Sequence, residues 1–300
     1  METYPAPQSP QRKDLCKKKF DGALSIEYYN ARLMIALFDI GNTHTHIGLA
    51  NAGRVVKHTD VPTRDWRGGA AKKAATNFLK GQITGAILCS VAPAVTPMVE
   101  KFLKTHLGLR CLHLTAGTTR GVGIDYPKPD TIGADRLANA VAVKRHFGAP
   151  AVVVDFGTAV TFDVVDKKGN YIGGIIAPGL NAMTDYLHEK TSLLPRITIR
   201  EEPAIIGKNT EQAMLIGAVH GYRGLIRELV GELKRALKCR RLPVIATGGY
   251  ARLMSARLPE VTAVEPLLTL EGLRLVWEAH ACERSGRGGQ APCDLREGDL

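Results

Sequence analysis

Apolar stretches separated by polar turns give the chain an alternating pattern of predicted strands and helices. Apolar residues dominate short runs that predict strands at residues 34–38, 86–91, 151–155 and 244–246. Apolar residues spaced three and four positions apart predict helices at about residues 133–147 and 210–237. Strands that alternate with helices along a chain are typical of the α/β fold class.

The two predicted helices each have an apolar face and end signals. The longer helix is predicted to bury a stripe formed by Met214, Ala218, Leu225, Leu229, Leu233 and Leu237. Asn209, followed three residues later by Gln212, indicates a capping box at its start. The shorter helix is predicted to stop at Gly148. Its predicted inner face consists of Leu137, Ala140 and Val141.

The two ends of the chain differ from its middle. The chain begins with a polar, proline-rich stretch, and the first clear strand opens at Met34. We therefore expect residues 1–33 to be a disordered extension or the result of a mis-assigned start. Residues 281–300 hold a glycine-rich stretch and are expected to form a flexible tail. No apolar run approaches the roughly 20 residues needed to span a bilayer.

One short pattern occurs twice. An apolar strand runs into an Asp-x-Gly turn with a threonine, followed by a second strand, at residues 39–43 and again at residues 155–158. This repeat predicts two similar lobes, at residues 34–148 and 149–280, each opening with a β-hairpin. A duplicated α/β architecture places a cleft between its lobes, and such clefts are preferred sites of ligand binding.

The residue types of the repeated turn suit phosphate chemistry. A carboxylate such as that of Asp39 holds Mg²⁺ directly or through water, and a glycine lets the backbone N–H groups approach a phosphate. Two such turns facing each other are suited to grip a triphosphate, because phosphoryl transfer depends mainly on positioning and charge stabilisation. A single turn of this kind is more often an ordinary hairpin turn.

A third glycine-rich turn, Thr247-Gly248-Gly249, follows the predicted strand at residues 244–246. Its place after a strand suits the adenosine part of a nucleotide, although such a turn is also a common link between a strand and a helix. The repeated Asp-Gly-Thr turns together with this third turn favour a nucleotide site over unrelated turns.

A candidate general base lies at the start of the helix predicted at residues 133–147. Asp135 is placed where a helix N-terminus favours the ionised carboxylate, which is suited to accept a proton from a substrate alcohol. Arg136 is suited to pair with a substrate carboxylate or a phosphate. The alternative is that Asp135 only complements the helix dipole and that Arg136 makes a surface ion pair.

Composition limits the choice of partner. The formal net charge is +11, yet the basic residues are dispersed and aromatic residues make up only 6%. No specific nucleic-acid partner is therefore expected, and the charge indicates a solvated surface or steering of anionic substrates such as ATP. The six cysteines form no CxxC pair and have no His cluster beside them, which argues against a zinc site and favours reduced thiols.

Several segments occur in an order and at a spacing typical of one family. The most specific are Gly133-Ala134-Asp135-Arg136 and Asp155-Phe156-Gly157-Thr158-Ala159, preceded by Asp39-Ile40-Gly41-Asn42-Thr43. Further matching segments are Ser90-Val91-Ala92-Pro93, Tyr126-Pro127-Lys128-Pro129 and residues 173–179, 206–210 and 269–273. Together they resemble the type III pantothenate kinases over about residues 34–280.

The resemblance implies the fold of the acetate and sugar kinase, Hsp70 and actin superfamily, with two duplicated actin-like (ribonuclease H-like) lobes and the nucleotide in the cleft between them. It implies ATP-dependent phosphorylation of pantothenate to 4'-phosphopantothenate, the first step of coenzyme A biosynthesis, in the cytoplasm. The implied cofactors are Mg²⁺ with ATP and a monovalent cation, K⁺ or NH₄⁺. A homodimer with substrate sites near the subunit interface is also implied, without a membrane partner.

The resemblance also implies roles for individual residues. The first ATP phosphate loop comprises Asp39, Ile40, Gly41, Asn42, Thr43, His44, Thr45 and His46, with Asp39 near Mg²⁺ and with Thr158 contacting ATP. Pantothenate is expected to contact Tyr126, Gly133, Ala134, Asp135, Arg136 and Thr210. Asp135 is expected to accept the proton of the primary hydroxyl, and Asp155 to hold the monovalent cation. Thr210 is a candidate for the site of the partner subunit.

The chain departs from the family pattern in the phosphate loop. His44 stands where the family usually has Asn or Ser, and His46 stands where a small or apolar residue is usual. Each histidine also fits a packing or surface role. Two rival functions are a kinase of another small hydroxy acid or polyol and a non-catalytic regulatory relative. The acceptor-side residues argue against the first, and the intact Asp39, Asp135 and Asp155 argue against the second.

Overall fold

The structure is a computed structural model that describes residues 34–284. The predictions for residues 1–33 and 285–300 lie outside the described residues. The strands are β1 (Met34–Ile40), β2 (His44–Ala50), β3 (Val55–Pro62), β4 (Ile83–Ser90), β5 (Cys111–His113), β6 (Gly123–Ile124), β7 (Ala151–Phe156), β8 (Ala159–Val165), β9 (Asn170–Pro178), β10 (Val244–Thr247) and β11 (Ala263–Val264). The helices are α1 (Asp65–Gly68), α2 (Ala70–Phe78), α3 (Thr96–Leu107), α4 (Ala134–Phe147), α5 (Leu180–Lys190), α6 (Thr210–Ala236), α7 (Ala251–Ser255) and α8 (Leu268–Arg284), with a 3₁₀ turn at Pro129–Thr131. Every predicted strand and helix is present.

The strands form two sheets that repeat one topology. The first sheet has the order β3-β2-β1-β4-β5, and the second has the order β11-β10-β7-β8-β9-β6. In each sheet a three-stranded antiparallel meander, β1-β2-β3 or β7-β8-β9, is extended by two parallel strands beside its first strand. This shared arrangement confirms the duplicated lobes that the repeated turn predicted.

Buried apolar residues form cores on both faces of each sheet. One core joins the first sheet to α1, α2 and α3, and another joins the second sheet to α6 and α7. The third core lies between the sheets and contains α4 and α8. The molecule is therefore layered as helices, sheet, helices, sheet and helices. The turn that joins β1 to β2 in the first sheet meets the turn that joins β7 to β8 in the second.

Helix α4 is more deeply buried than its sequence indicated. The predicted inner face is buried, but the expectation of a single face is wrong, because every residue from 137 to 143 is buried. The reason is that α4 lies in the middle layer, where it contacts β4, β7, β8 and α8. The helix ends at Phe147 with Gly148 as its C-cap, as predicted.

Helix α6 begins as predicted, but a different stripe faces the core. The Gln212 backbone N–H donates to Asn209 Oδ1 at 2.9 Å, and Gln212 Oε1 accepts from the backbone N–H of Lys208 at 2.9 Å. The fully buried stripe consists of Leu215, Val219, Tyr222, Ile226 and Val230. Of the six predicted residues, Met214 and Ala218 are buried. The other four, Leu225, Leu229, Leu233 and Leu237, are only partly buried beside this stripe. In the sequence, the partly buried leucines made the apolar face look wider than the buried stripe, and this displaced the predicted centre of the face.

Helix α8 is the last described element, and although it follows the second sheet in the chain, it packs against the first sheet. It packs on β1, β2 and β4 and crosses α4 so closely that a Cβ built at Gly272 would lie 2.0 Å from the Ala138 carbonyl oxygen. Strand β6 meanwhile pairs with β9 in the second sheet. Both elements cross the boundary predicted after residue 148, and α8 continues to Arg284, into the segment predicted as a tail.

Within residues 34–284, no helix is both long enough and apolar enough to span a membrane.

Candidate active site

The two repeated turns face each other across a cleft. Asp39 and Asp155 each lie one residue before the end of the first strand of their lobe, β1 and β7. The hydroxyl oxygens of Thr43 and Thr158, one from each turn, lie 2.9 Å apart. The fold therefore brings together the two threonines that sequence reasoning placed on opposite sides of a triphosphate.

The cleft has a volume of about 870 Å³, which falls in the range of roughly 300–1,000 Å³ that ligand pockets occupy. Thr158 lines one wall. The predicted phosphate-loop residues that line the cleft are Asp39, Gly41, Asn42, Thr43, His44 and His46. The other two residues of that loop, Ile40 and Thr45, are fully buried. The Trp66 indole N–H donates to Thr45 Oγ1 at 3.2 Å, so this side chain supports the loop from inside the first lobe.

The third glycine-rich turn also lines the cleft. Gly248 has a φ of +88°, in the left-handed region that favours glycine, and a Cβ built on it would lie 2.4 Å from Asp155 Oδ1. Tyr250, directly after this turn, donates its hydroxyl to Asn181 Oδ1 at 2.8 Å. The turn thus packs against the second Asp-Gly-Thr turn, beside the space expected for a nucleotide.

The aspartates around the cleft carry more negative charge than the neighbouring cations compensate. Burial, together with the charges of Asp163, Asp135 and Asp39, raises the pKa of Asp155 to about 7. Burial raises the pKa of Asp39 to about 6, although the nearby charge of His46 opposes the shift. Carboxylates held this close favour either a proton or a bound cation, and oxygen ligands are those that Mg²⁺ prefers.

Asp135 lies in the first turn of α4 and lines the cleft, as a general base requires. Its Oδ1 accepts a hydrogen bond of 2.8 Å from the backbone N–H of Arg136. A Cβ built at Gly133 would lie 2.6 Å from the same oxygen, so the glycine leaves room for the carboxylate. Burial raises the pKa of Asp135, against the opposing effect of that hydrogen bond and of the Arg136 charge. A raised pKa makes the carboxylate a better proton acceptor.

Arg136 is held by the second lobe. Its Nε donates to Asp163 Oδ1 at 2.5 Å, and its Nη2 donates to the Phe162 carbonyl at 3.0 Å. The guanidinium carbon also lies 5.7 Å from the centre of the Tyr171 ring. Among the contacts within residues 34–284, only Nη1 has no hydrogen-bond partner, so one nitrogen remains for a substrate carboxylate.

Three residues of this network were not identified from the sequence as functional. Asp163 is fully buried, and Asn139 Nδ2 reaches Asp163 Oδ2 at 3.3 Å and Asp155 Oδ2 at 3.5 Å. Thr269 donates to Asn139 Oδ1 at 2.9 Å and thereby fixes the amide. Burial raises the pKa of Asp163 to about 6, against the charge of Arg136. The sequence did contain a signal for a buried polar role, because Asp163 and Asn139 each interrupt an otherwise apolar stretch.

Both unusual histidines line the cleft. His46 Nδ1 lies 2.7 Å from Asp60 Oδ1 across the β2–β3 pair, and the rings of His44 and His46 are 6.4 Å apart. Burial lowers the pKa of His46, but the hydrogen bond to Asp60 and the charge of Asp39 raise it more, so the net shift is upward. His46 is thus placed where a cation would face bound phosphates.

The predicted acceptor residues do not all share the cleft. Tyr126 stands 6.1 Å from Tyr171, ring centre to ring centre, and the Arg136 guanidinium lies near the same Tyr171 ring. Of the predicted pantothenate residues, Asp135 alone belongs to the cleft wall within the described chain, and Thr210 begins α6 at an exposed position. The geometry therefore joins Asp135 to the nucleotide side and groups Tyr126 with Arg136.

A duplicated α/β fold with two facing Asp-x-Gly turns and an aspartate in the same cleft is the arrangement of ATP-dependent kinases with two actin-like lobes. The family model described as "Type III pantothenate kinase" matches residues 35–232. The chain belongs to the type III pantothenate kinase family.

Individual relatives agree with this assignment. A type III pantothenate kinase from Methylacidiphilum infernorum is 44% identical over 81% of this chain and 87% of its own length. One from Akkermansia muciniphila is 43% identical over 80% of this chain and 96% of its own length. A solved structure from Campylobacter jejuni, described as a conserved Baf family transcriptional activator, has a TM-score of 0.50 at 17% identity and covers 82% of this chain and 98% of its own. That last likeness concerns the fold alone.

Proposed function

We propose that this protein transfers the γ-phosphoryl group of ATP to the primary hydroxyl of pantothenate, giving 4'-phosphopantothenate and ADP, the first step of coenzyme A biosynthesis. The observation that carries the proposal is the meeting of Thr43 and Thr158 across one cleft that Asp135 also lines. Membership of the type III pantothenate kinase family supplies the substrate. A cytoplasmic location follows from the same proposal, because ATP is consumed there.

The phosphates of ATP would lie between the two Asp-Gly-Thr turns. Thr43 and Thr158 would each donate a hydroxyl hydrogen bond to a phosphate oxygen in place of their mutual contact of 2.9 Å. His46, whose pKa is raised by its hydrogen bond to Asp60, would add a positive charge on the same side when it is protonated. Phosphoryl transfer needs this kind of positioning and charge stabilisation more than it needs covalent chemistry.

The donor set fits the two cations that this reaction class uses. Asp39 and Asp155 are the candidate ligands for Mg²⁺ and for a monovalent cation, because each is a carboxylate whose burial raises its pKa beside other carboxylates. A divalent cation bound with ATP neutralises charge that develops on the phosphates. Without a cation, the neighbouring carboxylates favour the protonated form of Asp155. K⁺ or NH₄⁺ bound at Asp155 would take the place of that proton.

Asp135 would take the proton of the pantothenate hydroxyl as that oxygen attacks the γ-phosphorus. Its position at the start of α4 keeps it on the cleft wall, and its raised pKa improves it as a proton acceptor. The carboxylate of pantothenate would pair with Arg136 Nη1, the guanidinium nitrogen left open by Asp163 and Phe162. Tyr126 and the backbone of residues 133–136 would form the rest of the pantothenate-binding surface.

A homodimer is also proposed. Among the described residues, eight of the nine exposed large apolar side chains fall within residues 126–206. They are Tyr126, Ile172, Ile176, Tyr186, Leu187, Leu193, Ile205 and Ile206. We take these side chains as the candidates for a subunit interface, because exposed apolar patches mark protein contacts. Ile205 and Ile206 lie just before Thr210 along the chain. Thr210 would then contact pantothenate in the site of the other subunit.

The test of the function is a coupled assay of ADP release with MgATP, run with pantothenate or with other small hydroxy acids, in K⁺ and in Na⁺ buffer. We expect turnover that requires pantothenate and that is faster in K⁺. Turnover with another hydroxy acid but not with pantothenate would favour the rival substrate. A folded protein that binds ATP without turnover would favour the regulatory alternative.

The dimer has its own test. Light scattering after gel filtration should give twice the chain mass for the unmodified protein and a monomer for Ile206→Asp. Val56→Asp is the matched control, because Val56 is the exposed apolar residue that lies outside residues 126–206. A monomeric unmodified protein with full turnover would contradict the proposed role of Thr210 across an interface.

A further inference from the structure

Three side chains of different ligand types meet on the outer side of the first lobe, outside the cleft. Glu100 belongs to α3, and Cys111 and His113 belong to the edge strand β5. His113 Nε2 lies 2.6 Å from Glu100 Oε1 and 3.5 Å from Cys111 Sγ. The three ligand atoms all lie within 4.8 Å of one another, and none of the three residues lines the cleft.

The fold explains why these side chains converge. Residues two apart on a strand point to the same face, so Cys111 and His113 project together. Cys111 packs against the core that also contains Val99 and Leu103 of α3, which places this helix over the same face. Glu100 follows Val99 in α3, and its side chain extends from this helix to Cys111 and His113.

The distances suit a tetrahedral zinc ion with little rearrangement. Zinc bonds of about 2.3 Å to sulfur and about 2.0 Å to nitrogen, at a tetrahedral angle, separate the two ligand atoms by about 3.5 Å. The observed separation of Cys111 Sγ and His113 Nε2 is 3.5 Å. The Glu100 oxygen would have to move roughly 0.8 Å away from His113 Nε2 to reach the separation that zinc bonds require. Its side chain is 40% exposed and is free to rotate towards solvent.

We propose that Glu100, Cys111 and His113 form a binding site for one zinc ion, with water as the fourth ligand. Thiolate and imidazole ligands select zinc over Mg²⁺ or Ca²⁺, and the partial exposure of all three side chains leaves the fourth position open. Binding releases the proton of the Cys111 thiol into solvent, and His113 binds as the neutral imidazole through Nε2. The bound ion ties the edge strand β5 to α3 and stabilises the first lobe.

In the ion-free cluster the Cys111 thiol holds its proton, which zinc has to displace. Burial, together with the charge of Glu100, raises the pKa of the Cys111 thiol to about 11. A carboxylate beside a thiol disfavours the thiolate unless a cation lies between them. The sequence argued against a zinc site because it contains no CxxC motif. The short Cys-x-His pair needs Glu100 from a preceding helix, and only the folded chain supplies it.

The test uses the full chain without a histidine tag, titrated with Co²⁺ as a spectroscopic substitute for zinc. We expect one Co²⁺ per chain, a sulfur-to-cobalt charge-transfer band in the near ultraviolet, and loss of that band when zinc is added. Cys111→Ser should abolish the band, His113→Gln should weaken binding at least tenfold, and Cys239→Ser, a thiol elsewhere in the chain, should change nothing. Zinc should raise the melting temperature of the unmodified protein but not that of Cys111→Ser.

Kinase turnover of each variant serves as the measure of correct folding, since none of these residues lies in the cleft. A cluster that is only an ion pair would give no band in the unmodified protein. A band that persists in Cys111→Ser would equally overturn the proposal.

Discussion

Thr43 and Thr158 are 115 positions apart in sequence, yet their hydroxyl oxygens lie 2.9 Å apart across the cleft. Each belongs to the turn that opens its own lobe, so the contact is made between corresponding parts of a duplicated fold. A triphosphate bound between the turns would exchange this one hydrogen bond for two, one from each lobe. We therefore propose that this contact marks the place where the two lobes bind the phosphates of ATP.

Replacing either threonine should weaken ATP binding. A hydrogen bond to a charged group contributes about 1.5–3 kcal/mol, so Thr43→Ala and Thr158→Ala should each raise the KM for ATP by roughly tenfold or more. Thr76→Ala, on the exposed side of α2, is the control. Unchanged ATP kinetics in both cleft variants would place the phosphates elsewhere.

Removing the proposed base should separate chemistry from binding. Asp135→Asn keeps the shape of the side chain but cannot accept the proton, so kcat should fall about 10²–10⁴-fold while ATP binding by calorimetry stays near normal. Asp130→Asn makes the same chemical change at an exposed residue outside the cleft and should leave kcat unchanged. Near-normal kcat in Asp135→Asn would show that another group accepts the proton.

Asp163 should act as a positioning residue for Arg136. Asp163→Asn retains an oxygen near Arg136 Nε but removes the charge, so the guanidinium is held less firmly. The KM for pantothenate should rise roughly tenfold, the scale of one charge-assisted hydrogen bond, with little change in the KM for ATP. A purely structural role would instead lower the melting temperature and leave both KM values alone in the folded fraction.

The crowded aspartates should make stability depend on pH and on cations. The pKa of Asp155 is raised to about 7 in the folded protein, so between that pH and its unfolded pKa the folded state binds more protons. From this group, stability therefore falls as pH rises through about 7 when no cation is bound. K⁺ should raise the melting temperature at about pH 8 and have little effect at about pH 5.

Asp155→Asn provides the control for that dependence. The amide carries no charge at any pH, so this variant should melt at a similar temperature with and without K⁺ at about pH 8. A K⁺ effect of equal size at both pH values, or one that survives in Asp155→Asn, would remove Asp155 from the cation site.

The fold was predictable because its signals are local and occur twice. The strand at residues 151–155 and the helix at residues 210–237 both appear close to their predicted ends, and the repeated turn indicated the duplicated sheets. The burial of α4 on all sides was not predictable in the same way, because it depends on where α8 packs after a separation of more than a hundred residues. The close approach of Gly272 to Ala138 is a property of that packing.

The candidate site shows the same contrast between residues in local motifs and contacts that depend on packing. Asp39, Asp135 and Asp155 stand in short motifs, so the sequence indicates them as candidates. The link from Asp163 through Asn139 to Asp155 instead joins strands and a helix that no motif connects. The same applies to Glu100, Cys111 and His113 in the first lobe. Sequence motifs indicate candidate groups for contacting substrates, but the side chains that hold those groups in place are identified only once the elements are packed.

The most direct test of the central claim is mass spectrometry of the product formed from pantothenate and MgATP in K⁺ buffer. The account predicts one added phosphoryl group on pantothenate with the unmodified protein and with Asp130→Asn, and a loss of at least a hundredfold in rate with Asp135→Asn. ATP consumption without phosphorylated pantothenate, or equal product formation by Asp135→Asn and Asp130→Asn, would contradict it.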